Sequence, residues 1–322
     1  MLAVVALNMG GPDSPAAVEP FLRNLFADPD IIQLGWARPV QPLLARLIAR
    51  RRAPLSRAAY AQIGGRSPIR EESMAQVQTV VAAMAAAGVA AKPYLAMSYW
   101  HPFPGETAAA MRADGIDRAL LLPLYPHRSR TTTGSAFRTI ESALAGIATA
   151  RIEGYATAPG YIEALCDRIS EASGQLPDLE RATAPVLFSA HGLPESYIRR
   201  GDPYLDQVRA TVAAVAQRLA LESRSQLAFQ SRVGRQRWLA PTTEEALDSL
   251  AAAGHRAAIV VPVSFTGEHL ETLQEIDILY RERAATRGIA SFARAQTVGC
   301  HPAFIAELAA LLISAARARG WV

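Results

Sequence analysis

From one end of the chain to the other, short continuous apolar runs alternate with longer stretches in which apolar residues recur every three or four positions. Continuous runs suit strands buried on both faces, and the helical period suits the helices that cover them, so the pattern predicts parallel sheets with crossover helices. The runs place strands at Leu2–Asn8, Lys92–Ser98, Asp117–Leu124 and Arg151–Tyr155, then at Pro185–Ala190, Gln226–Ser231, Arg256–Val263 and Ala290–Arg294. Between them, Ser14-Pro15 and Ser67-Pro68 set a capping hydroxyl ahead of a proline suited to the first helical turn. Gly88 and Gly254 stand where a helix end needs a left-handed residue. The polar stretch Glu171–Pro185 precedes the fifth strand, and a boundary near residue 158 divides the chain into an N-terminal domain, 1–158, and a C-terminal domain, 159–300. In the last segment, 301–322, Ile305, Leu308 and Leu312 share one helical face, which must be buried.

Length agrees: 322 residues make about two domains. Half of the residues are hydrophobic and 19% are charged, which excludes a disordered, collagen-like or coiled-coil chain. The two cysteines, Cys166 and Cys300, cannot build a disulfide framework or a site with four thiolates, and they suit a reducing compartment. The net charge of +4 (33 minus 29) comes with no basic block longer than Arg50-Arg51-Arg52, so nucleic acid is not expected. The most apolar stretch, Thr79–Ala91, is shorter than the roughly 18 residues of a membrane span. With no basic segment ahead of the opening LAVVAL, a cytoplasmic protein is expected.

In open parallel sheets, ligands bind beyond the carboxyl ends of the strands, so the loops there carry the candidate chemistry. His191 follows the run VLFSA, where imidazole serves as a metal ligand or as a general base near neutral pH. A helix starting near Gly267 would carry Glu268, Glu271 and Glu275 at i, i+3 and i+7 on one face, opposite Leu270, Leu273, Ile276 and Tyr280. No Lys or Arg lies between residues 257 and 280, so the stripe needs a solvated face, a bound cation or a proton to offset its repulsion. Carboxylates with imidazole and no thiolate suit a divalent metal such as Fe(II), held loosely and passed on. Tyr60, Tyr99, Trp100, Tyr125, Trp238 and Phe265 lie in or beside the same loops and suit a broad apolar cleft for a flat ligand. Gly10-Gly11 and Thr131–Ser135 complete no phosphate-loop pattern.

Together these segments resemble the ferrochelatase family along nearly the whole chain: LNMGGPDSPAAVEPFLRNLFADPDII, YAQIGGRSPI, LPLYPHRSRTTTGSA, FSAHGLPESYIRRGDPYLDQV, FQSRVGRQRWLAPTTEEAL and FTGEHLETLQEID occur in that family's order. The resemblance implies a chelatase-like α/β fold of two Rossmann-like domains, each with a four-stranded parallel sheet flanked by helices, and a C-terminal helix returning to the first domain. It implies insertion of ferrous iron into protoporphyrin IX to form protohaem, with porphyrin and iron as substrates and peripheral contact at the inner face of a membrane. A monomer or weak dimer is expected. By motif match, His191 and Glu271 would be the paired catalytic and metal residues, with Glu268 and Glu275 extending the metal line. Met9, Tyr60, Ser67, Tyr99, Tyr204, Trp238 and Phe265 would lie in or near the porphyrin pocket. No cofactor is expected, because the tail ISAARARGWV lacks the cysteines of members with an iron–sulfur cluster.

The chain also departs from the family pattern. Ser98 stands where an arginine is common, with Arg66, Arg128 and Arg130 as candidate substitutes toward a propionate, and Glu268 stands where aspartate is common. Met9 resembles the enzymes of protoporphyrin IX more than those of coproporphyrin III. The alternatives are a non-catalytic porphyrin or haem binder, or a chelatase for coproporphyrin III or for cobalt.

Overall fold

A computed structural model describes residues 1–29, 31, 39–231 and 236–322. Parts of FADPDII and FQSRVGRQRW therefore lie outside the described residues. The strands are β1 (Leu2–Asn8), β2 (Lys92–Met97), β3 (Arg118–Pro123), β4 (Ala148–Arg151), β5 (Val186–His191), β6 (Ser225–Gln230), β7 (Ala257–Pro262) and β8 (Ser291–Arg294). They form two four-stranded parallel sheets, ordered β2-β1-β3-β4 and β6-β5-β7-β8. Seven strands begin and end within about two residues of the expected positions. The fourth does not: it runs Ala148–Arg151 rather than Arg151–Tyr155. β4 is a short edge strand in which only Ala150 is buried, so it lacks the continuous apolar run that marks the central strands, and the buried Ile152 and Tyr155 belong to the connection after it.

The helices are α1 (Val18–Ala27), α2 (Gln41–Ala61), α3 (Ile69–Ala86), α4 (Pro104–Ala113), α5 (Ser135–Ala143), α6 (Pro159–Ser173), α7 (Asp178–Arg181), α8 (Glu195–Arg199), α9 (Tyr204–Leu219), α10 (Thr243–Ala252), α11 (Arg281–Arg287) and α12 (Pro302–Ala318). Two further segments, Arg130–Gly134 and Glu271–Tyr280, are π-helices. Ser14 caps the first helical turn by accepting from the Ala17 amide, and α10 carries a complete capping box between Thr242 and Glu245.

Two compact units result. One comprises Met1–Tyr125, Ser129–Glu153 and Leu308–Val322; the other comprises Pro126–Arg128 and Gly154–Glu307. In the first, Val5, Leu7 and Leu121 pack with Met111 of α4 and Phe137 and Ile140 of α5. In the second, Leu187, Ala258 and Val260 pack with Leu247 of α10 and with Ile276 and Tyr280 of the π-helix. Burying such side chains contributes about 1.5–3 kcal/mol each, which holds the ends of the strands in place. No helix among the described residues is long and apolar enough to cross a membrane.

Candidate active site

In the second unit the chain leaves β5 toward β6 on one side and continues through β7 on the other. The loops after β5 and β7 therefore diverge, and the crevice at their start is where such sheets bind ligands. His191 is the last residue of β5, and the loop after β7 carries Ser264 and Phe265 into the π-helix Glu271–Tyr280.

These two loops bring His191 and Glu271 together. His191 Nδ1 lies 2.9 Å from Glu271 Oε2, so in the neutral ring a proton on Nδ1 serves that bond and leaves the Nε2 lone pair available as a base. Gln230, directly beside His191 in the sheet register, donates to the same Glu271 oxygen at 3.1 Å, and Ser189 donates to Gln230 Oε1 at 2.6 Å. The Tyr204 hydroxyl donates to the His191 carbonyl at 2.8 Å and accepts from Ser264 Oγ at 2.7 Å, fixing the backbone under the imidazole. Phe265 stands edge-on to the His191 ring at 6.4 Å. Gly192 lets the chain turn here: a Cβ at that position would lie 2.8 Å from the Gln230 carbonyl and 3.3 Å from the half-buried Trp238.

The charges in this cluster compensate each other. Burial lowers the His191 pKa, but the charge and hydrogen bond of Glu271, with Glu275 behind it, more than reverse this and raise it. Burial raises the Glu271 pKa, and the charge and hydrogen bond of His191 pull it well below the carboxylate range. Glu275 has no such partner. Burial, then the Glu271 charge, push it up to about 8 against the opposing hydrogen bond from Ser231 Oγ at 3.1 Å. Glu271 is thus ionised and Glu275 holds a proton near neutral pH.

Glu268 departs from the expected stripe. It precedes the helix, and its carboxylate accepts from Arg294 Nη1 at 2.9 and 3.1 Å and from the Thr297 amide at 3.0 Å. The balancing cation comes from β8, outside the 257–280 window, so Glu268 is tied to an arginine rather than aligned with Glu271 and Glu275. The helix that carries those two is wound with i→i+5 bonding, so the assumed 3.6-residue spacing does not apply to it. Among the described residues no three His, Cys, Asp or Glu side chains form a ready-made metal cage.

The other expected pocket residues fall in the first unit. Met9, at the end of β1, is half-buried and donates its amide to Asn8 Oδ1. Tyr60 and Ser67 are buried, and the Tyr99 hydroxyl donates to Asp28 at 2.7 Å. Arg66 pairs with Glu71 at 3.3 Å in solvent. The residues not anticipated from sequence are Gln230, Ser231 and Arg294. Gln230 ends β6, next to the strand that ends in His191, and Ser231 follows it, which is the signal that could have found them.

A doubled four-stranded parallel sheet with polar chemistry at its carboxyl ends defines a chelatase-type fold. The chain superposes on an Fe3+-bound SirB from Bacillus subtilis with a TM-score of 0.55 and 12% identity, over 99% of this chain and 97% of that one. It superposes on CbiX from denitrifying bacteria with a TM-score of 0.53 and 18% identity, over 97% and 99%. At such identities the likeness is one of fold. Sequence narrows it further. The family profile described as Ferrochelatase matches residues 1–316. The ferrochelatase of Geotalea daltonii is 45% identical over 316 residues, 97% of either chain, and that of Thermosynechococcus vestitus is 44% identical over 316 residues, 96% of this chain and 81% of its own. The chain belongs to the ferrochelatase family, lyases that insert a metal ion into a porphyrin.

Proposed function

We propose that this chain inserts Fe(II) into protoporphyrin IX to form protohaem, with His191 as proton acceptor and Glu271 and Glu275 as its carboxylate partners. The observation that carries this reading is the His191–Glu271 pair at the sheet's ligand-binding end, with the protonated Glu275 beside it. Insertion exchanges one Fe(II) for two pyrrole protons. His191 Nε2 accepts a proton, and the imidazolium formed is held by the Glu271 carboxylate. The His191 side chain is 38% exposed, so it can release that proton to water before the second transfer. An arriving divalent cation favours loss of the Glu275 proton and gains a carboxylate. Met9, Tyr60, Ser67, Tyr99, Tyr204, Trp238 and Phe265 contribute to porphyrin binding in this reading.

An iron–sulfur cluster is not part of this reading, since Cys166 and Cys300 cannot supply the four thiolates of an all-cysteine cluster. The protein works as a monomer or weak dimer at the inner face of the membrane, in peripheral contact. Support for that contact comes from α2, whose outer face exposes Leu43, Leu47 and Leu55 among Arg46, Arg50 and Arg51, as helices lying on anionic lipid do.

The deciding assay is anaerobic Fe(II) insertion into protoporphyrin IX, with coproporphyrin III in parallel. Haem absorbance that grows with enzyme and is abolished in His191→Ala supports the proposal. Absence of product with both porphyrins refutes it, and faster turnover of coproporphyrin III replaces the assigned substrate.

A further inference from the structure

The carboxylates of the proposed site stand on a helix of an inherently weak kind. Bonding of the i→i+5 type is rarely sustained without outside support, yet Glu271–Tyr280 keeps it for ten residues. The support comes from one side chain at the end of β8. Arg294 is 10% exposed; its Nη1 binds both oxygens of Glu268, and its Nε binds Asp277 Oδ2 at 2.7 Å. Glu268 lies just before the π-helix and Asp277 lies within it, so one planar guanidinium holds both sides of the segment containing Glu271 and Glu275. Two neighbours secure the fork. Thr297 donates its amide and hydroxyl to Glu268, and Arg281 joins Asp277 at 3.1 Å to the Phe292 carbonyl of β8 at 2.6 Å.

We propose that Arg294 is a positioning residue for metal transfer: by clamping Glu268 and Asp277 it holds the π-helix in the register that presents Glu271 and Glu275 together. The inference rests on the role assigned above to those two carboxylates. The guanidinium spends its bonds on Glu268, Asp277 and the Ala295 carbonyl, so it acts on Glu271 and Glu275 through the backbone between its two anchors. A guanidinium is required because its fork reaches two carboxylates at once, whereas an ammonium is a single point charge.

The test uses the full chain and two readouts. Calorimetric titration with Zn(II) alone needs no turnover. Asp277→Asn, which breaks one arm, should weaken Zn(II) binding about tenfold, as losing a partner that orients ligands does. Arg294→Lys should weaken it as well, because an ammonium cannot span both anchors. Arg294→Met takes the guanidinium from two partly buried carboxylates and threatens the fold, so the triple variant R294M/E268Q/D277N, which removes those charges as well, is the decisive one. It should keep the wild-type circular dichroism spectrum and still bind Zn(II) about tenfold more weakly. In turnover the same variants should raise the KM for Fe(II) while leaving the KM for porphyrin unchanged. Wild-type Zn(II) affinity in a folded triple variant overturns the clamp. So does a fall in kcat with both KM values unchanged, which reports only fewer folded molecules. A wild-type protein that binds Zn(II) but inserts no Fe(II) defeats the proposed function, while the calorimetric comparison still decides the clamp.

Discussion

Glu271→Gln removes the charge that holds a proton on His191 while keeping the side chain's size. The bond concerned is 2.9 Å long and links an imidazole to an ionised carboxylate. Such a bond contributes about 1.5–3 kcal/mol, and the 38% exposure of His191 places it at the lower end. Losing it moves the His191 pKa down, because burial then acts without its main counterweight. His191 must be neutral at Nε2 to take a pyrrole proton, so kcat/KM rises with pH through its pKa. The acidic limb of the variant should therefore lie lower than that of the wild type, while the plateau falls about 100-fold or more because the imidazolium has lost its partner. Glu271→Asp keeps the charge and should keep the limb closer to its original position. The assay is the initial rate of Fe(II) insertion into protoporphyrin IX, anaerobically, across about pH 5 to 9, the range that brackets an imidazole. An acidic limb in Glu271→Gln that stays in place or moves up, or a plateau that does not fall, refutes the pairing argument.

Three further outcomes are expected. Glu275 binds its proton up to about pH 8 in the folded chain, against an ordinary value of 4.5, so between those limits the fold holds more protons than the unfolded chain and loses stability as pH rises. Glu275→Gln should therefore melt higher than the wild type by a margin that widens from about pH 5 to 8, about 2–4 °C for each kcal/mol relieved; a constant margin in scanning fluorimetry counts against it. Gly11→Ala places a Cβ 2.5 Å from Ser67 Cβ and Oγ, and should destabilise the fold by about 1–3 kcal/mol in urea unfolding, with Ser67→Gly restoring part of the loss. If Ser67→Gly makes no difference, the clash is not the cause. Sedimentation with anionic liposomes at low salt should carry down the wild type and leave a Leu43→Glu, Leu47→Glu double variant in solution; equal behaviour of the two removes α2 as the contact.

How much of the molecule is legible in its sequence depends on how locally each feature is encoded. The central strands β1, β3, β5 and β7 are buried along nearly their whole length, and their unbroken apolar runs announce them. β4 is displaced from its expected place because the apolar signal there belongs to the connection beyond it. His191 is legible because a strand end followed by glycine is a local pattern. Its partner Glu271 needs only a second strand end, whereas Glu268 is misplaced by the sequence pattern because its balancing charge, Arg294, lies 26 residues away. A window of consecutive residues cannot show an ion pair closed by the sheet. The helix type is equally hidden: apolar spacing marks a helix but does not tell i→i+4 from i→i+5 bonding, and Glu271–Tyr280 has the latter.

The same strand order occurs in both sheets, yet their carboxyl ends carry different chemistry. In the first unit, β1 ends at Asn8 before Met9, β2 is followed by Ser98, Tyr99 and Trp100, and β3 is followed by Leu124 and Tyr125. These are mostly apolar and aromatic side chains with single polar tips, suited to a flat ring, and the imidazole that follows them, His101, is paired with Glu106 at 2.8 Å. In the second unit the corresponding ends carry His191, Gln230 and the approach to Glu271, a set suited to moving protons and charge. The three carboxylates there are relieved in three ways: Glu268 by Arg294, Glu271 by His191, and Glu275 by a proton. Only the last two can change state during a reaction, because a guanidinium does not give up its proton in this range. In the proposed reaction that difference separates the carboxylate tied to the clamp from those that would do the exchange, so neutralising Glu268 alone should disturb metal binding through geometry, whereas neutralising Glu271 should disturb the pH dependence itself.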